Sequence, residues 1–302
     1  MNSRRIRTIL ACAGGLIAAR AVIRRMREES LRGQVAVITG ASRGLGLAIA
    51  RELARTGCRL VICSRHDDSI RIAAEELAKA TEVVPVVCDV ANREDVARLI
   101  ATATEYFGGV DILVNNAGVM EVGPSEAMVI ADYQKLMDIM YWGMVYATLE
   151  VLPQMKAKGA GRIVNITSIG GKISVPHLLP YSGAKFAAVG FSEGLHEELA
   201  KDGVTVTTVV PWLMRTGGYR HAQVKGDVDR EFAWFSTAST LPLLTISAKR
   251  AARQIVRAAR RRSREAIIGA PAKLGVRVSG LMPSKMIMMM SLFNRLLPEE
   301  RL

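Results

Sequence analysis

The chain has 302 residues, of which 50% are apolar and 5% aromatic, and this composition predicts one principal globular domain. The formal net charge is +13, and the excess is regional: residues 1–32 hold eight arginines against two glutamates, and residues 249–264 hold eight lysines and arginines. These basic runs lack interleaved aromatics, so we expect no nucleic-acid partner. The four cysteines have no CxxC spacing and the four histidines are scattered, which predicts free thiols, a reducing compartment and no metal site.

Residues 1–32 form a basic and apolar N-terminal segment. An apolar run over residues 9–19 follows three arginines and is interrupted by Arg20. The run is too short for a standard spanning helix, and arginines follow it where the cleavage site of a signal peptide needs small residues. Two interpretations stay open, an uncleaved anchor at a membrane surface and a disordered tail. We therefore expect a cytoplasmic protein, with peripheral membrane contact if the first interpretation holds.

From Gln34 onward, short β-branched runs alternate with longer helical stretches. This alternation predicts an α/β fold over residues 33–270: a single Rossmann-type, doubly wound domain with a seven-stranded parallel sheet flanked by helices. The predicted strands are 35–39, 59–63, 82–87, 111–115, 162–167, 204–210 and 265–269. The predicted helices are 45–56, 69–80, 93–107, 131–156, 181–201 and 248–261. In such a sheet, ligands bind beyond the carboxyl ends of the strands.

The first predicted strand runs into the sequence TGASRGLG and then a helix. Its glycines would permit a tight turn, let the backbone approach a pyrophosphate and allow close helix packing, while the helix N-terminal amides face the anion. A plain turn is the alternative, although the flanking strand and helix favour the phosphate loop. The predicted cofactor-binding residues of this loop are Gly40, Ser42, Arg43, Gly44, Leu45 and Gly46.

The end of the second strand selects between the two nicotinamide dinucleotides. An acidic residue there would bind the ribose hydroxyls, whereas this chain has Ser64 and Arg65, which can bind a 2′-phosphate together with Arg43. The cofactor predicted is NADP(H). Solvated loop arginines are the alternative, and Asp67 and Asp68 follow closely.

Taken together, the motifs over residues 33–270 resemble those of the short-chain dehydrogenase/reductase family. They are TGASRGLG at 39–46, Asp89 and Val90 after the third strand, NNAG at 115–118, Ser168, and YSGAK at 181–185. The resemblance implies that Asp89 and Val90 lie at the adenine end of the cofactor. It also implies that Asn116 holds the central strands and the cofactor loop together.

The family uses a Ser, Tyr and Lys constellation, which Ser168, Tyr181 and Lys185 match. Reduction of a carbonyl needs a proton for its oxygen, and a free phenol near pKa 10 gives its proton up poorly. Lys185 lies one helical turn from Tyr181, so its positive charge is expected to favour the phenolate. The resemblance implies that Ser168 polarises the substrate oxygen and that Tyr181 and Lys185 also contact the cofactor. An ordinary Tyr/Lys pair on a helix surface is the alternative.

Two positions depart from the family pattern. Met140 stands where the family commonly has an asparagine, thought to hold a helix bulge and a relay water, and a thioether cannot make those contacts. Either the relay is rerouted, turnover is slowed, or the chain binds nucleotide without catalysis. After the sixth strand, Pro211 and Thr216 match family residues at the cofactor, but Trp212 replaces a common glycine and would narrow the site or form part of the substrate wall.

Residues 212–245 form the segment that covers the substrate in relatives, and its stretch EFAWFSTASTLPLL is markedly apolar. Core packing of a lid helix is the alternative explanation of this apolarity. We expect a small lipophilic carbonyl or alcohol substrate and an NADP(H)-dependent oxidoreductase that moves hydride between nicotinamide and that group. The alternative is a catalytically silent NADP(H)-binding sensor or scaffold at a membrane surface. A homo-oligomer is expected by analogy with relatives. Residues 271–302 are predicted to form an apolar helical tail, capped at Ser284, against membrane, partner subunit or its own domain.

Overall fold

The computed structural model of the protein describes residues 28–241 and 245–298, so the N-terminal anchor prediction lies almost wholly outside the described residues. The strands are β1 Val35–Thr39, β2 Arg59–Ser64, β3 Val83–Val87, β4 Ile112–Asn115, β5 Glu121–Val122, β6 Gly161–Ile166, β7 Val204–Pro211, β8 Met214–Arg215, β9 Gln223–Val224, β10 Ile246–Ser247 and β11 Glu265–Ile268. The helices are α1 Gly44–Arg55, α2 Asp67–Leu77, α3 Arg93–Phe107, α4 Ile130–Met137, α5 Gly143–Lys158, α6 Leu179–Leu199, α7 Val228–Thr240, α8 Ala248–Arg260, α9 Ala270–Leu281 and α10 Pro283–Asn294.

Seven parallel strands form the central sheet in the order β11-β7-β6-β4-β1-β2-β3, which confirms the predicted doubly wound α/β fold. The central strands read as near-continuous apolar runs because helices cover both faces. Helices α1, α2 and α8 pack against one face, and α3, α5 and α6 against the other. The order reverses between β1 and β4, so the crevice beyond their carboxyl ends is where a ligand is expected.

Helices α4 and α5 belong to one long helical stretch, joined by a π-helical turn over Asp138–Trp142. The predicted helix at 131–156 is therefore interrupted at the position of Met140. A π-turn holds one extra residue and is frequent at functional sites.

The chain after β11 folds back onto its own domain. Met286 of α10 and Ala272 of α9 are buried against Ile169 and Ile173, and Trp212 packs beside them. The prediction that Ser284 caps the last helix was wrong. Helix α10 begins at Pro283, so Ser284 lies inside its first turn, and the cap residue is Met282, which makes no side-chain hydrogen bond. Proline is pre-organised for the first helical position, which explains the earlier start.

The beginning of the described chain is fastened at the end of the sheet where the strands begin, away from the crevice. Leu31 is buried, Glu28 pairs with Arg260 at 3.0 Å and with Arg261 at 2.6 Å, and Glu29 pairs with the buried Arg162. Part of the basic run near residue 260 is thus neutralised by acids that lie more than 200 positions earlier in the chain.

Candidate active site

The glycine-rich loop after β1 fits a pyrophosphate. Gly40 and Gly44 have positive φ angles of 64° and 59°, which side-chain-bearing residues rarely adopt. A Cβ on Gly46 would lie 2.2 Å from the carbonyl oxygen of Gly40, so only glycine allows this approach of helix to loop. The cap residue of α1, Arg43, makes no side-chain capping bond, and the first turn contains no acidic residue. The helix N-terminus is therefore suited to an anion.

Hydrogen bonds from Asn116 and Thr39 hold this loop to the end of β4. The Asn116 side-chain amide donates to the carbonyl oxygens of Thr39 at 2.9 Å and Gly40 at 3.0 Å. The hydroxyl of Thr39 accepts from the backbone N–H groups of Asn116 at 2.9 Å and Ala117 at 3.0 Å. The expected structural role of Asn116 thus has a direct geometric basis. Thr39 was not singled out from the sequence, although it is the first residue of the TGASRGLG motif.

The first residues at the end of β2 are a serine and an arginine, and Asp67 and Asp68 follow on the first turn of α2. Arg65 is exposed, and the Ser64 hydroxyl donates to the His66 carbonyl at 3.1 Å. The nearest acid, Asp67, forms an ion pair at 2.7 Å with Arg71 on its own helix.

A histidine from the segment after β8, His221, lies near Arg43 of the glycine-rich loop. Partial burial, followed by the guanidinium groups of Arg43 and Arg220, lowers the pKa of His221. The side chains of Arg43 and Arg220 are therefore both close enough to His221 to affect its protonation.

The residues after β3 and β7 surround the same crevice. The Asp89 carboxylate accepts from the Ala91 N–H at 3.0 Å, and Val90 is so close to the π-turn exit that a Cβ on Gly143 would lie 2.9 Å from its side chain. Pro211 ends β7 in a buried position. A Cβ built on Gly44 would lie 3.6 Å from the Cβ of Thr216, which places Thr216 beside the glycine-rich loop.

Ser168, Tyr181 and Lys185 come together at the carboxyl end of β6. Ser168 is buried, and its hydroxyl accepts from the Gly170 N–H at 3.0 Å and also bonds the phenol of Tyr181. Lys185 is 5% exposed, donates to the Ile166 carbonyl at 2.9 Å, and lies 5.9 Å from the ring centre of Tyr181. Lys185 is therefore buried and Tyr181 partly buried, so the two side chains do not form an exposed pair on a helix surface.

Burial dominates the acidity of both titratable groups in this constellation. It lowers the pKa of Lys185 to about 8. It raises the pKa of Tyr181, and the hydrogen bond with Ser168 offsets part of that rise. Lys185 is not among the groups that shift the pKa of Tyr181, so the expected lowering of this pKa by the neighbouring cation is not seen among the protein's own groups.

Met140 keeps the helix bulge without the family's asparagine. It lies within the π-turn, is 1% exposed, and its sulfur lies 3.5 Å from a Cβ built on Gly118. Backbone geometry and packing thus maintain the turn at this position, since a thioether offers little hydrogen bonding. A cavity of about 10 Å³ lies next to it, near the minimum for one water molecule.

Two apolar clusters flank the constellation. One, under α7, contains Val122, Leu178 and Phe235 with Tyr181 packed against it. The other contains Ile169 with the C-terminal helices, and Trp212 packs against it. Both expectations for Trp212, a narrower site and a part of the substrate wall, stay predictions.

A buried polar contact fixes α7 over the site. The Glu231 carboxylate, almost wholly buried, bonds the imidazole of His177 at 2.6 Å and accepts from the indole N–H of Trp234 at 2.6 Å. His177 has a positive φ of 61°, a conformation uncommon for non-glycine residues. No sequence motif indicated this contact.

Among the described residues, no three His, Cys, Asp or Glu side chains are gathered as a metal site requires. The described cysteines, Cys58, Cys63 and Cys88, are buried free thiols.

Comparison with known proteins identifies relatives across this region. The family model for short chain dehydrogenases matches residues 34–224. The chain is 38% identical over 189 residues to a 3-oxoacyl-acyl-carrier-protein reductase of Synechocystis, covering 62% of this chain and 76% of that protein. It is 37% identical over 192 residues to rabbit dehydrogenase/reductase SDR family member 4, covering 63% and 74%.

Solved structures show the same fold. A short-chain dehydrogenase/reductase from Burkholderia phymatum in complex with NAD superposes with a TM-score of 0.78 at 27% identity, covering 83% of this chain and 94% of that one. L-Sorbose reductase from Gluconobacter frateurii, complexed with NADPH and L-sorbose, gives 0.71 at 28% identity, covering 80% and 97%.

Proposed function

Because the chain belongs to the short-chain dehydrogenase/reductase family of oxidoreductases, whose members bind a nicotinamide cofactor, we propose that it is an NADP(H)-dependent reductase of lipophilic carbonyl compounds, or a dehydrogenase of the matching alcohols. The observation that carries the proposal is the meeting of Ser168, Tyr181 and Lys185 at the carboxyl end of β6, the end of the sheet at which β1 runs into the glycine-rich loop. The bound cofactor supplies or accepts the hydride. The chain's own residues position the substrate and handle the proton.

Each of the three residues has a separate role in the proposed reduction. Tyr181 gives its phenolic proton to the carbonyl oxygen as the carbonyl carbon receives hydride. Burial raises the pKa of Tyr181, so the phenol is protonated near neutral pH but is a weaker acid than a free phenol, and the proposed proton transfer depends on the positive charges that Lys185 and the oxidised nicotinamide place beside it. Ser168 donates to the substrate oxygen where negative charge develops, and Lys185 holds the cofactor and balances charge near the phenol.

The residues that would hold the cofactor follow the carboxyl ends of β1, β2, β3, β4, β6 and β7. They are Gly40, Ser42, Arg43, Gly44, Leu45, Gly46, Ser64, Arg65, Asp89, Val90, Asn116, Tyr181, Lys185, Pro211 and Thr216.

The preference for NADP(H) rests on charge at the end of β2. Arg65 and Arg43 would bind a 2′-phosphate, and Asp67 is occupied by Arg71. Arg65→Asp should weaken NADPH binding far more than NADH binding, measured as dissociation constants by titration calorimetry. Arg55→Asp, at the far end of α1, is the matched charge reversal and should leave both constants unchanged. Equal weakening of both cofactors by Arg65→Asp would contradict the proposed phosphate contact.

The apolar clusters on both sides of Tyr181 favour a lipophilic substrate, and the named relatives include reductases of carbonyl groups. The test is loss of NADPH absorbance with a panel of lipophilic ketones. Tyr181→Phe should abolish turnover while NADPH still binds, and Tyr106→Phe, at an exposed tyrosine on α3, should not. If no carbonyl is reduced by the native chain, the silent NADP(H)-binding protein becomes the better interpretation, with Met140 as its structural basis.

Self-association is proposed through the faces of α5 and α6. Trp142 is exposed and stacks on Tyr146 at 6.0 Å, while Leu149 and Phe186 add exposed apolar area. Exposed aromatic and aliphatic residues on one surface are typical of subunit interfaces.

A further inference from the structure

The C-terminal hairpin, defined as α9 with α10, is attached to the rim of the active site. Its inward residues Ala272 and Met286 are buried, and they pack beside Ile169, which follows Ser168 directly. The ring of Phe293 lies 6.5 Å from that of Trp234 on α7. The hairpin therefore borders both walls of the proposed substrate site.

The outward face of the hairpin is apolar. On α9, Leu274, Val278 and Leu281 recur at helical spacing, and on α10, Met288 and Leu292 do the same. Leu281 is 82% exposed, and all five lie on the side away from the domain. Exposed apolar residues that recur on one helix face are typical of an interaction site.

The charges on the hairpin all have the same sign. Lys273, Arg277, Lys285 and Arg295 lie along it, and the sequence holds no aspartate or glutamate between Glu265 and Glu299. A second copy of the chain would bring the same cations against one another without an acid to pair them, which disfavours self-association through this face. An anionic surface complements it.

We propose that the outward face of the C-terminal hairpin docks on membranes that contain anionic lipids. The apolar stripe would enter the boundary between headgroups and acyl chains, and the four cations would contact lipid phosphates. No helix among the described residues is long and apolar enough to cross a bilayer. The proposed contact is at the membrane surface. The next step rests on the proposed function. The position of the hairpin would let a carbonyl compound dissolved in the membrane reach Tyr181 without crossing bulk water.

The test is flotation of the full chain with vesicles of phosphatidylcholine alone or mixed with phosphatidylglycerol. The native chain should bind the mixed vesicles. The double variant Arg277→Glu with Lys285→Glu, and separately Leu281→Asp, should weaken binding at least about tenfold. Ile72→Asp, at a residue of α2 that is 67% exposed, is the matched control and should bind like the native chain.

Native-like binding by both hairpin variants would overturn the proposal, as would failure of the native chain to bind mixed vesicles. Binding by Tyr181→Phe should be unchanged, so docking is decided even if no carbonyl is reduced. If turnover is found, Leu281→Asp should lower kcat/KM for a ketone dissolved in the vesicles and leave that for a water-soluble ketone unchanged. An equal loss for both ketones would contradict delivery from the membrane.

Discussion

Lys185 is a buried cation that links the stability of the fold to pH. Burial lowers its pKa from 10.5 to about 8, and its ammonium group donates to the carbonyl oxygen of Ile166. In the unfolded chain the amine regains its ordinary pKa, so between these two values the unfolded state binds more protons than the folded state. The free energy of unfolding due to this residue must therefore rise with pH across that window, and the cost of the buried charge is felt in full below it.

The size of the effect follows from the two pKa values. Between pH 7 and pH 9.5 the folded lysine loses almost all of its charge while the unfolded one stays protonated, which corresponds to a gain of about 2 kcal/mol. Urea denaturation at both pH values, for the native chain and for Lys185→Met, measures this gain. Methionine fills a similar volume but cannot titrate.

Other titrating groups contribute to both proteins and cancel in the comparison. The free energy of unfolding of the native chain should increase by about 2 kcal/mol relative to that of Lys185→Met as the pH rises. Parallel pH profiles of the free energy of unfolding for the two proteins would refute the argument that the buried lysine loses its charge. A fall in the stability of the native chain relative to Lys185→Met would show that the pKa of Lys185 is raised and not lowered.

Two further predictions concern the glycine-rich loop. Thr39→Val should lower the free energy of unfolding by about 2–4 kcal/mol, because two backbone N–H groups lose their acceptor, and Thr39→Ser should cost less than half as much; an equal loss in the two variants, measured by urea denaturation, would contradict the assignment to the hydroxyl. Gly46→Ala should abolish binding of nicotinamide dinucleotides in a calorimetric titration, since the new Cβ would lie 2.5 Å from the Asn116 amide nitrogen. Gly190→Ala, where nothing lies within 4 Å, should bind normally, and retained binding in Gly46→Ala would contradict the steric argument.

The sheet and the glycine-rich loop could be predicted because their signals are local. Central strands covered on both faces must be apolar throughout, so β1 was predicted with its observed ends, and a turn that needs positive φ at Gly40 and Gly44 reveals itself by those glycines. The gathering of Ser168 with Tyr181 followed from the resemblance to a family, and the fold supplies the geometry.

Other features depend on contacts between distant parts of the chain and leave no local pattern. The bond between Glu231 and His177 joins residues 54 positions apart, and helical periodicity does not reveal the extra residue of the π-turn at Met140. The spacing of Tyr181 and Lys185 indicated a shared face but could not show that desolvation would govern both pKa values.

The acids at the start of the described chain limit how much of the N-terminal segment can be removed without destabilising the fold. A protein shortened to begin at Glu28 would keep the carboxylates that face Arg162 and the arginines near residue 260. One that begins at Leu31 would leave the guanidinium of Arg162 buried without its counter-charge, which is strongly destabilising. A loss of membrane binding by that shorter protein would then have misfolding as a second cause. A truncation that tests the predicted anchor must therefore remove only residues before Glu28.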